Sequence, residues 1–257
     1  MNFGICNLTV IPLRSEPADK SEMVSQLLFG ETFEIHLQEK QWLRVHTHAD
    51  DYEGWIDEKQ ILRLDAGQFK SVQHSPCCLT DLTATAFGKY GSLILVIGST
   101  LPNYSGQHFS FAGESYQTDG DVTDTGRNDL SGRIAWNAMK FAGMPYLWGG
   151  RSLFGLDCSG FTNVVFKLSG IRLRRDAWQQ SEQGMLVSFI DQARPGDLAF
   201  FHNEEGKIIH VGILLEHNKI IHASGRVRVD TIDHYGVFNE EQKRYSHQLR
   251  LIKRIIE

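Results

Sequence analysis

Alternating apolar and polar residues characterise the first part of the chain. Short segments in which every second residue is apolar are separated by turn residues, as in Thr9 to Leu13, Thr32 to Leu37 and Trp42 to His46. A period of two places successive side chains on opposite faces of a strand, and many short strands are typical of small barrels. The pattern predicts a small all-β barrel over residues 1–65 and a second, less regular barrel over residues 66–120.

The pattern changes after a polar stretch. Residues 121–130 carry hardly any apolar side chains, so they cannot bury enough surface to order a core element and are predicted to be a linker. Beyond them, apolar residues such as Ile134 and Ala138 fall at helical spacing, with Ser131 as the predicted N-cap. We therefore expect a domain of mixed α and β structure over residues 131–257.

Composition and charge narrow the classes of function. Hydrophobic residues make up 41% and charged residues 22%, the balance of a folded globular protein, and the net charge of -5 gives no reason to expect nucleic acid binding. The basic run Arg172 to Arg175 is interpreted as a solvated edge.

No apolar stretch approaches the roughly 18 residues of a membrane span. The segment Met1 to Asn7 does not have the pattern of a secretory signal, so a cytoplasmic protein without a membrane partner is expected.

One cysteine lies in a context that differs from the other three. After Cys158, apolar residues follow the i, i+3, i+4, i+7 spacing of a helix that Gly170 should end, which places Cys158 at the helix N-terminus. The partial positive charge there favours the thiolate, the form that attacks a carbonyl carbon. Cys158 is therefore the predicted nucleophile, whereas Cys6 and the pair Cys77 and Cys78 are interpreted as inert.

The residues around the predicted nucleophile suit a substrate cleft. Asp157 and Ser159 are polar and flank Cys158 directly, and nearby glycines allow a substrate backbone to approach. Tyr146 and Trp148 precede them and offer amphipathic walls. All four flanking residues are therefore predicted to contact substrate.

Two histidines interrupt apolar strands that follow. The sequence from Lys207 to Ala223 predicts a β-hairpin, and a turn centred between residues 217 and 218 would place His222 opposite Ile213. His210 and His222 would then be diagonal neighbours on one face of the sheet. A polar side chain inside an apolar strand costs stability unless it has partners, so we predict that His210 is the catalytic base and His222 orients it.

A zinc site using these two histidines is the competing chemical interpretation. Zinc needs at least one more ligand, and neither an H-E-x-x-H motif nor a paired cysteine unit supplies one. His202, His217, His234 and His247 are interpreted as core or surface residues. The sequence therefore predicts no metal and no organic cofactor.

Several motifs together resemble the NlpC family of bacterial cell-wall peptidases. They are Pro145 to Gly150, Asp157 to Phe161, Arg194 to Leu198, His210 to Ile213 and His222 to Ala223. The resemblance implies an α+β, papain-like catalytic fold that cleaves peptidoglycan stem peptides after γ-D-glutamate. It also implies a nucleophile, base and orienting residue at Cys158, His210 and His222.

The resemblance also implies positions around the reacting bond. Tyr146 and Asp157 match residues that line the reactive centre. Either the backbone N–H of Cys158 or a group from Tyr146 could stabilise the oxyanion, and the sequence leaves both open. Asp176 matches a substrate-facing position, although Ala177 stands where serine is often found.

The N-terminal region is similar to the bacterial SH3-like domains of one branch of that family, the γ-D-glutamyl-L-diamino acid endopeptidases. Ser21 to Gly30 and Tyr52 to Trp55 carry this similarity. It implies that Glu22 binds the free amino group of an N-terminal L-alanine, with Tyr52 as a companion hydrogen-bonding group.

The expected substrate is a small, released muropeptide such as L-Ala-γ-D-Glu-diamino acid, whose cleavage would be a step in murein recycling. The sequence does not distinguish meso-diaminopimelate from lysine as the diamino acid. Two alternatives stay open: a papain-like acyltransferase that uses the same cysteine and histidine, and a peptidoglycan-binding scaffold with an inactive papain-like domain.

Overall fold

The computed structural model describes residues 2–73, 77–123 and 129–256. They form two compact units, of which the first contains the described residues up to 123 together with Trp148–Leu153. The second unit contains residues 129–147 and 154–256. Of the predicted linker at 121–130, residues 124–128 lie outside the described residues.

The first unit consists mainly of β-strands. In chain order its elements are β1 (Phe3–Ile5), β2 (Val10–Arg14), β3 (Met23–Leu28), β4 (Thr32–Glu39), β5 (Trp42–Thr47), β6 (Glu53–Asp57), a 3-10 helix (Glu58–Gln60), β7 (Leu62–Leu64), α1 (Ala66–Val72), β8 (Thr83–Gly88), β9 (Gly91–Val96), β10 (His108–Phe111), β11 (Glu114–Thr118) and β12 (Arg151–Ser152). Within the described residues, one sheet has the order β3-β2-β6-β5-β4-β1-β7 and a second has the order β10-β11-β8-β9.

Two apolar clusters fill the first unit. Ile11, Leu13, Phe33 and Val45 belong to one cluster and are fully buried, because alternation along β2, β4 and β5 turns their side chains to the same side. The other cluster joins residues from β1 and β7 to α1, β8, β9 and β10, with Phe29 at its centre. Residues before and after position 65 therefore share one core, and the predicted ranges 1–65 and 66–120 lie in one compact unit.

The second unit packs one buried helix against a sheet of seven described strands. Its elements are α2 (Leu130–Met139), β13 (Gly155–Leu156), α3 (Cys158–Lys167), α4 (Ala177–Gln180), β14 (Met185–Val187), a 3-10 helix (Ile190–Gln192), β15 (Leu198–His202), β16 (Ile208–Leu215), β17 (Lys219–Ser224), β18 (Arg226–Ile232), β19 (Gly236–Asn239) and β20 (Arg244–Arg254). The described sheet has the order β14-β20-β15-β16-β17-β18-β19, and β19 also pairs with β20, which closes a ring.

The helices begin where short polar side chains can cap them. Asp129 accepts the backbone N–H of Gly132 at 2.9 Å and starts α2, so the prediction of Ser131 as the cap was wrong by two residues. Every residue of α3 from Cys158 to Phe166 is buried, and the helix packs on β16 and β17. Among the described residues, no helix has the length and apolar character needed to cross a membrane.

The hairpin of β16 and β17 is close to the predicted one but shifted by one residue. Ile213 pairs with Ile221 and Leu215 with Lys219, so residues 216–218 form a three-residue loop. The prediction assumed a turn centred between residues 217 and 218, which placed His222 opposite Ile213. The register of the observed pairs places His222 opposite Gly212 instead.

A buried ion pair holds the segment Trp148–Leu153 within the first unit. The guanidinium of Arg151 donates to both carboxylate oxygens of Glu31, at 2.9 and 3.1 Å, and to the backbone carbonyl of Gln26 at 2.7 Å. Both charged side chains are 1% exposed. Gly149 allows the segment to approach β3 closely, because its φ of +73° lies in the left-handed region and a Cβ there would clash with the backbone of Met23.

Removing one charge of this pair should destabilise the first unit. We expect Glu31→Gln to lower its free energy of unfolding by about 3–5 kcal/mol, because Arg151 stays buried without its full counter-charge. Urea unfolding monitored by hydrogen exchange of β3 and β4 measures the change. Glu58→Gln is the matched control: its pair with Arg63 is partly exposed and should contribute less than about 1 kcal/mol. Equal effects of the two variants would contradict the assignment.

Candidate active site

Cys158 is the first residue of α3, and the side chain before it fixes its position. The Oδ1 of Asp157 accepts the backbone N–H of Gly160 at 2.6 Å and caps the helix. Arg175, which is 1% exposed, binds the same carboxylate through two hydrogen bonds of 3.1 and 2.6 Å. The start of α3 is therefore held by a bidentate ion pair as well as by a cap.

The ionisation of Cys158 is controlled by burial. Burial raises the pKa of the thiol to about 12, and the carboxylate of Asp157 acts in the same direction. Backbone hydrogen bonds from Val211 and Ser159 and the charge of Arg175 oppose the rise. Because Val211 follows His210 directly, its hydrogen bond also brings the sulfur next to the strand that carries the predicted base. At neutral pH the resting side chain is a thiol.

His210 and His222 lie in direct contact. Nε2 of His210 and Nδ1 of His222 are 2.8 Å apart, and both side chains are buried. Gly212 makes room for this contact, because a Cβ there would lie 2.9 Å from the Cβ of His222. A β-bulge at Ile209 precedes His210, since His202 pairs with Ile208 while Phe201 pairs with His210. Bulges of this kind turn a side chain relative to its strand.

Asp230 continues the hydrogen-bonded chain on β18. Its Oδ2 is 3.0 Å from Nε2 of His222, and Arg228 binds both carboxylate oxygens at 2.6 and 2.9 Å. Burial acts to raise the pKa of Asp230, but the hydrogen bonds from His222 and Arg228 outweigh it and lower the pKa to about 2. Asp230 is therefore an ionised carboxylate that accepts hydrogen bonds.

This chain fixes the tautomer of each imidazole. Because the carboxylate of Asp230 accepts, the proton of neutral His222 lies on Nε2 and its Nδ1 is an acceptor. His210 must then donate from Nε2, which leaves the lone pair of its Nδ1 available. The network thus prepares one nitrogen of His210 to take up a proton.

His247 on β20 packs against the same pair. Its ring stacks on that of His210 with centroids 4.1 Å apart, and it meets the ring of His222 edge-on at 5.5 Å. Burial lowers the pKa of His210 well below 6.5, and the charges of His247 and His222 act in the same direction. The pKa of His247 itself is lowered to about 4, mainly by burial. Burial and the two neighbouring histidines therefore all favour the neutral form of His210.

The structure brings Tyr146 into the electrostatic environment of the cysteine. Burial raises the pKa of Tyr146 to about 12, and the charges of Cys158 and Asp157 add to the effect. Ser159 lies in the same region but is buried, where its Oγ accepts from Arg175 at 3.0 Å and lies 3.3 Å from Asp157. The side chains of Ser159 and Asp157 are thus engaged with protein partners, and their contact with substrate stays a prediction.

The other predicted substrate contacts lie in separate places. In the first unit, Nε1 of Trp148 donates to Oε1 of Glu22 at 2.5 Å, and both side chains are exposed. Tyr52 packs partly against the core around Leu13 in that unit. In the second unit, Asp176 begins α4, and its backbone N–H donates to Gln179 at 3.0 Å.

Three residues of this site were not predicted. Arg175 is buried, so the interpretation of its basic run as a solvated edge was wrong at that position. Asp230 carried a usable signal, because it interrupts the apolar strand of Val227 and Ile232 in the same way as the two histidines interrupt theirs. His247 carried none, because its strand neighbours Ser246 and Gln248 are polar.

Comparisons with known proteins agree with this architecture. Residues 143–248 match the model of the NlpC/P60 family, and residues 13–61 match that of the bacterial dipeptidyl-peptidase SH3 domain. A crystal structure of an NlpC/P60 family protein from Bacillus cereus superposes with a TM-score of 0.84, covering 100% of both chains at 20% identity. The fold is therefore that of an NlpC/P60 domain with an SH3-like N-terminal domain.

Two curated relatives match over most of the chain. The γ-D-glutamyl-L-lysine dipeptidyl-peptidase of Bacillus subtilis is 30% identical over 216 residues, covering 77% of this chain and 71% of the relative. The protein of the same name from Bacillus cereus is 28% identical over 234 residues, covering 79% and 68%. The chain belongs to the NlpC/P60 family, which confirms the resemblance seen in the sequence.

Removing the charge of Asp230 should slow catalysis through the tautomer of His222. Asparagine can donate from its amide, so Asp230→Asn loses the obligatory acceptor that keeps the proton of His222 on Nε2. We expect kcat to fall by roughly 10- to 1000-fold, less than the roughly 10⁴-fold known for a carboxylate in direct contact with a catalytic histidine. Steady-state hydrolysis of a stem peptide measures the loss.

The control for this variant is Glu241→Gln. Glu241 is exposed and accepts from Arg226 and Arg228, whereas Asp230 accepts from Arg228 and from His222. Its activity should stay within about twofold of the parent protein. A comparable loss in both variants would mean that Arg228, and not the tautomer of His222, is what matters.

Activity should persist on the acidic side of the ordinary histidine range. The neutral imidazole of His210 is the base, and because its pKa lies well below 6.5, the acidic limb of kcat/KM should have its midpoint below pH 6.5. The profile should then stay flat into mildly alkaline pH, since the thiol pKa is about 12. Measurement of kcat/KM against pH tests both limbs, with the exposed His217→Gln as control. A midpoint at or above 6.5 contradicts the neutral resting pair.

Proposed function

We propose that this protein is a cysteine endopeptidase that hydrolyses the γ-D-Glu-diamino acid bond of small peptidoglycan stem peptides with a free N-terminal L-Ala. The observation that carries the proposal is the buried Cys158 at the start of α3, hydrogen-bonded to the backbone beside His210, whose ring is oriented by His222 and Asp230. The names of the Bacillus relatives support the choice of the γ-D-glutamyl bond.

The proposed reaction begins with attack of Cys158 on the γ-carbonyl carbon of D-glutamate. As the carbon–sulfur bond forms, the thiol proton moves to Nδ1 of His210, whose cation donates from Nε2 to His222. The developing oxyanion is stabilised by the backbone N–H of Cys158 or by the Tyr146 hydroxyl, which stays protonated because the pKa of Tyr146 is about 12.

Breakdown of the tetrahedral intermediate needs the same proton. His210 gives it to the leaving amine of the diamino acid, and the thioester that remains joins L-Ala-γ-D-Glu to Cys158. Water then attacks the thioester while His210 acts as base again, which frees the dipeptide and restores the thiol. The cycle consumes one water molecule and needs no redox partner.

We further propose that Glu22 binds the ammonium group of the N-terminal L-Ala. The indole N–H of Trp148 donates to Oε1 of Glu22 at 2.5 Å and so orients an exposed carboxylate. A carboxylate held in this way favours a free amine and disfavours an acylated one, which fits small released peptides and a cytoplasmic recycling role. Tyr52 and Asp176 are proposed as additional substrate contacts.

The decisive experiment is hydrolysis of L-Ala-γ-D-Glu-L-Lys and its meso-diaminopimelate counterpart by the full chain. Mass spectrometry should show L-Ala-γ-D-Glu and a free diamino acid, and Cys158→Ala should abolish both products. Cys77→Ala is the matched control and should keep full activity, because Cys77 lies in the first unit. Transfer of the dipeptide to an acceptor other than water would instead indicate an acyltransferase, and binding to sacculi without turnover would indicate a scaffold.

The proposed contact between Glu22 and the substrate ammonium group, hereafter the amine pocket, predicts a specific kinetic change. Loss of a charge-assisted hydrogen bond corresponds to about 1.5–3 kcal/mol, so Glu22→Gln should lower kcat/KM by roughly 10- to 150-fold, mainly through KM. N-acetylation of the tripeptide should cause a similar loss in the parent protein and little further loss in the variant. Glu16→Gln, at an exposed site in the same unit, is the control. Equal rates for free and acetylated peptide would refute the pocket.

A further inference from the structure

The strands of the second unit gather three imidazoles around one point. His210 on β16, His222 on β17 and His247 on β20 form a cluster, hereafter the three-histidine cluster, in which one ring nitrogen of each lies within 4.8 Å of the others. His210 and His222 are buried and His247 is largely so. From the sequence, a zinc site lacked a third ligand, and β20 supplies it in the folded chain.

The hydrogen bonds around the three-histidine cluster leave a particular nitrogen of each ring facing inward. His222 is held through Nε2 by the carboxylate of Asp230, which leaves Nδ1 as its ligand atom. Ser246 donates its hydroxyl to the carbonyl of Val237, so Nδ1 of His247 donates to Ser246 and leaves the lone pair on Nε2. His210 presents Nε2 to His222.

This donor set suits a transition metal. Three neutral imidazoles with a fourth position open are typical zinc ligands, and a carboxylate that accepts from the outer N–H of a ligating histidine is the usual support for such a site. Zinc–nitrogen bonds of about 2.0–2.1 Å in a tetrahedron require ligand atoms about 3.3 Å apart. The 2.8 Å contact between His210 and His222 would need to open by about half an ångström.

We infer that the three-histidine cluster binds a divalent transition metal ion of the zinc class, and that the bound ion switches off the catalytic base. Coordination through Nε2 uses the lone pair of that nitrogen, so a neutral His210 must then carry its proton on Nδ1. One proton moves from Nε2 to Nδ1, the hydrogen bond to His222 is replaced by two metal–nitrogen bonds, and no electron is transferred. Nδ1 can no longer accept the proton of Cys158.

Two features separate this mechanism from simple blocking of the nucleophile. The ion binds the histidines and leaves Cys158 unligated, so a variant without the sulfur should bind metal as well as the parent does. The ion also acts on the tautomer of His210 and not on the peptide, so it should lower kcat and leave KM unchanged. The inhibitory part of the inference rests on the proposed function, whereas the binding part does not.

Calorimetric titration of metal-free full-length protein with Zn²⁺ tests binding. Cys158→Ala should bind one equivalent with the affinity of the parent, and adding His247→Phe, which keeps the stacked ring but removes its nitrogens, should weaken binding at least about tenfold. His247→Gln repeats the test if the phenylalanine variant does not fold. His46→Phe is the control for zinc binding elsewhere in the chain, because the rings of His36, His46 and His48 lie close together in the first unit. Weakening by His46→Phe alone, or dependence on Cys158, overturns the inference.

Activity gives the second readout. Zn²⁺ should reduce kcat of the parent reversibly, a chelator should restore it, and His247→Phe should need at least about tenfold more Zn²⁺ for half inhibition relative to its own metal-free rate. Activation by Zn²⁺ or competition with peptide would overturn the switch. If the tripeptide is not hydrolysed at all, the proposed function fails while the calorimetric result still decides whether the metal site exists.

Discussion

The hydrogen bond of 2.8 Å between His210 and His222 is the constraint on which the chemistry of this molecule depends. It forms inside a closed ring of strands, where an unpaired imidazole nitrogen would cost free energy. Asp230, kept ionised by Arg228, determines which nitrogen of His222 carries the proton, and His222 in turn determines it for His210. Protonation is therefore set from the carboxylate inward, by groups that need not touch a substrate.

Two opposing effects act on the cysteine, and their magnitudes decide the outcome. A helix N-terminus stabilises a negative charge by about 0.3–1 kcal/mol, and by up to about 2 kcal/mol when partly buried. A pKa raised from 9.0 to about 12 corresponds to roughly 4 kcal/mol in favour of the thiol. Burial of Cys158 therefore outweighs the preference for the thiolate that its position at the helix N-terminus provides. Proton transfer to His210 then has to accompany attack on the carbonyl.

One short segment belongs to a different unit from the residues on either side of it in the sequence. The polypeptide leaves the second unit after Leu147, contributes Trp148–Leu153 to the first, and returns at residue 154. Arg151 anchors the segment in a buried ion pair with Glu31, and Trp148 binds Glu22. The motif Pro145 to Gly150, which had suggested a single catalytic domain, thus supplies residues to both units.

Patterns among residues close together in the sequence were enough to predict several elements of the second unit and its candidate site residues. Hydrophobic periodicity predicted α3, with Cys158 at its start, and the hairpin of β16 and β17, and polar interruptions singled out His210 and His222, because these signals depend on neighbours in sequence. The folded chain alone decided the register of that hairpin, the burial that raises the pKa of Cys158, and the arrival of His247 and Asp230 beside the base. Those depend on strand pairing and on exclusion of water, which arise from residues far apart in the sequence.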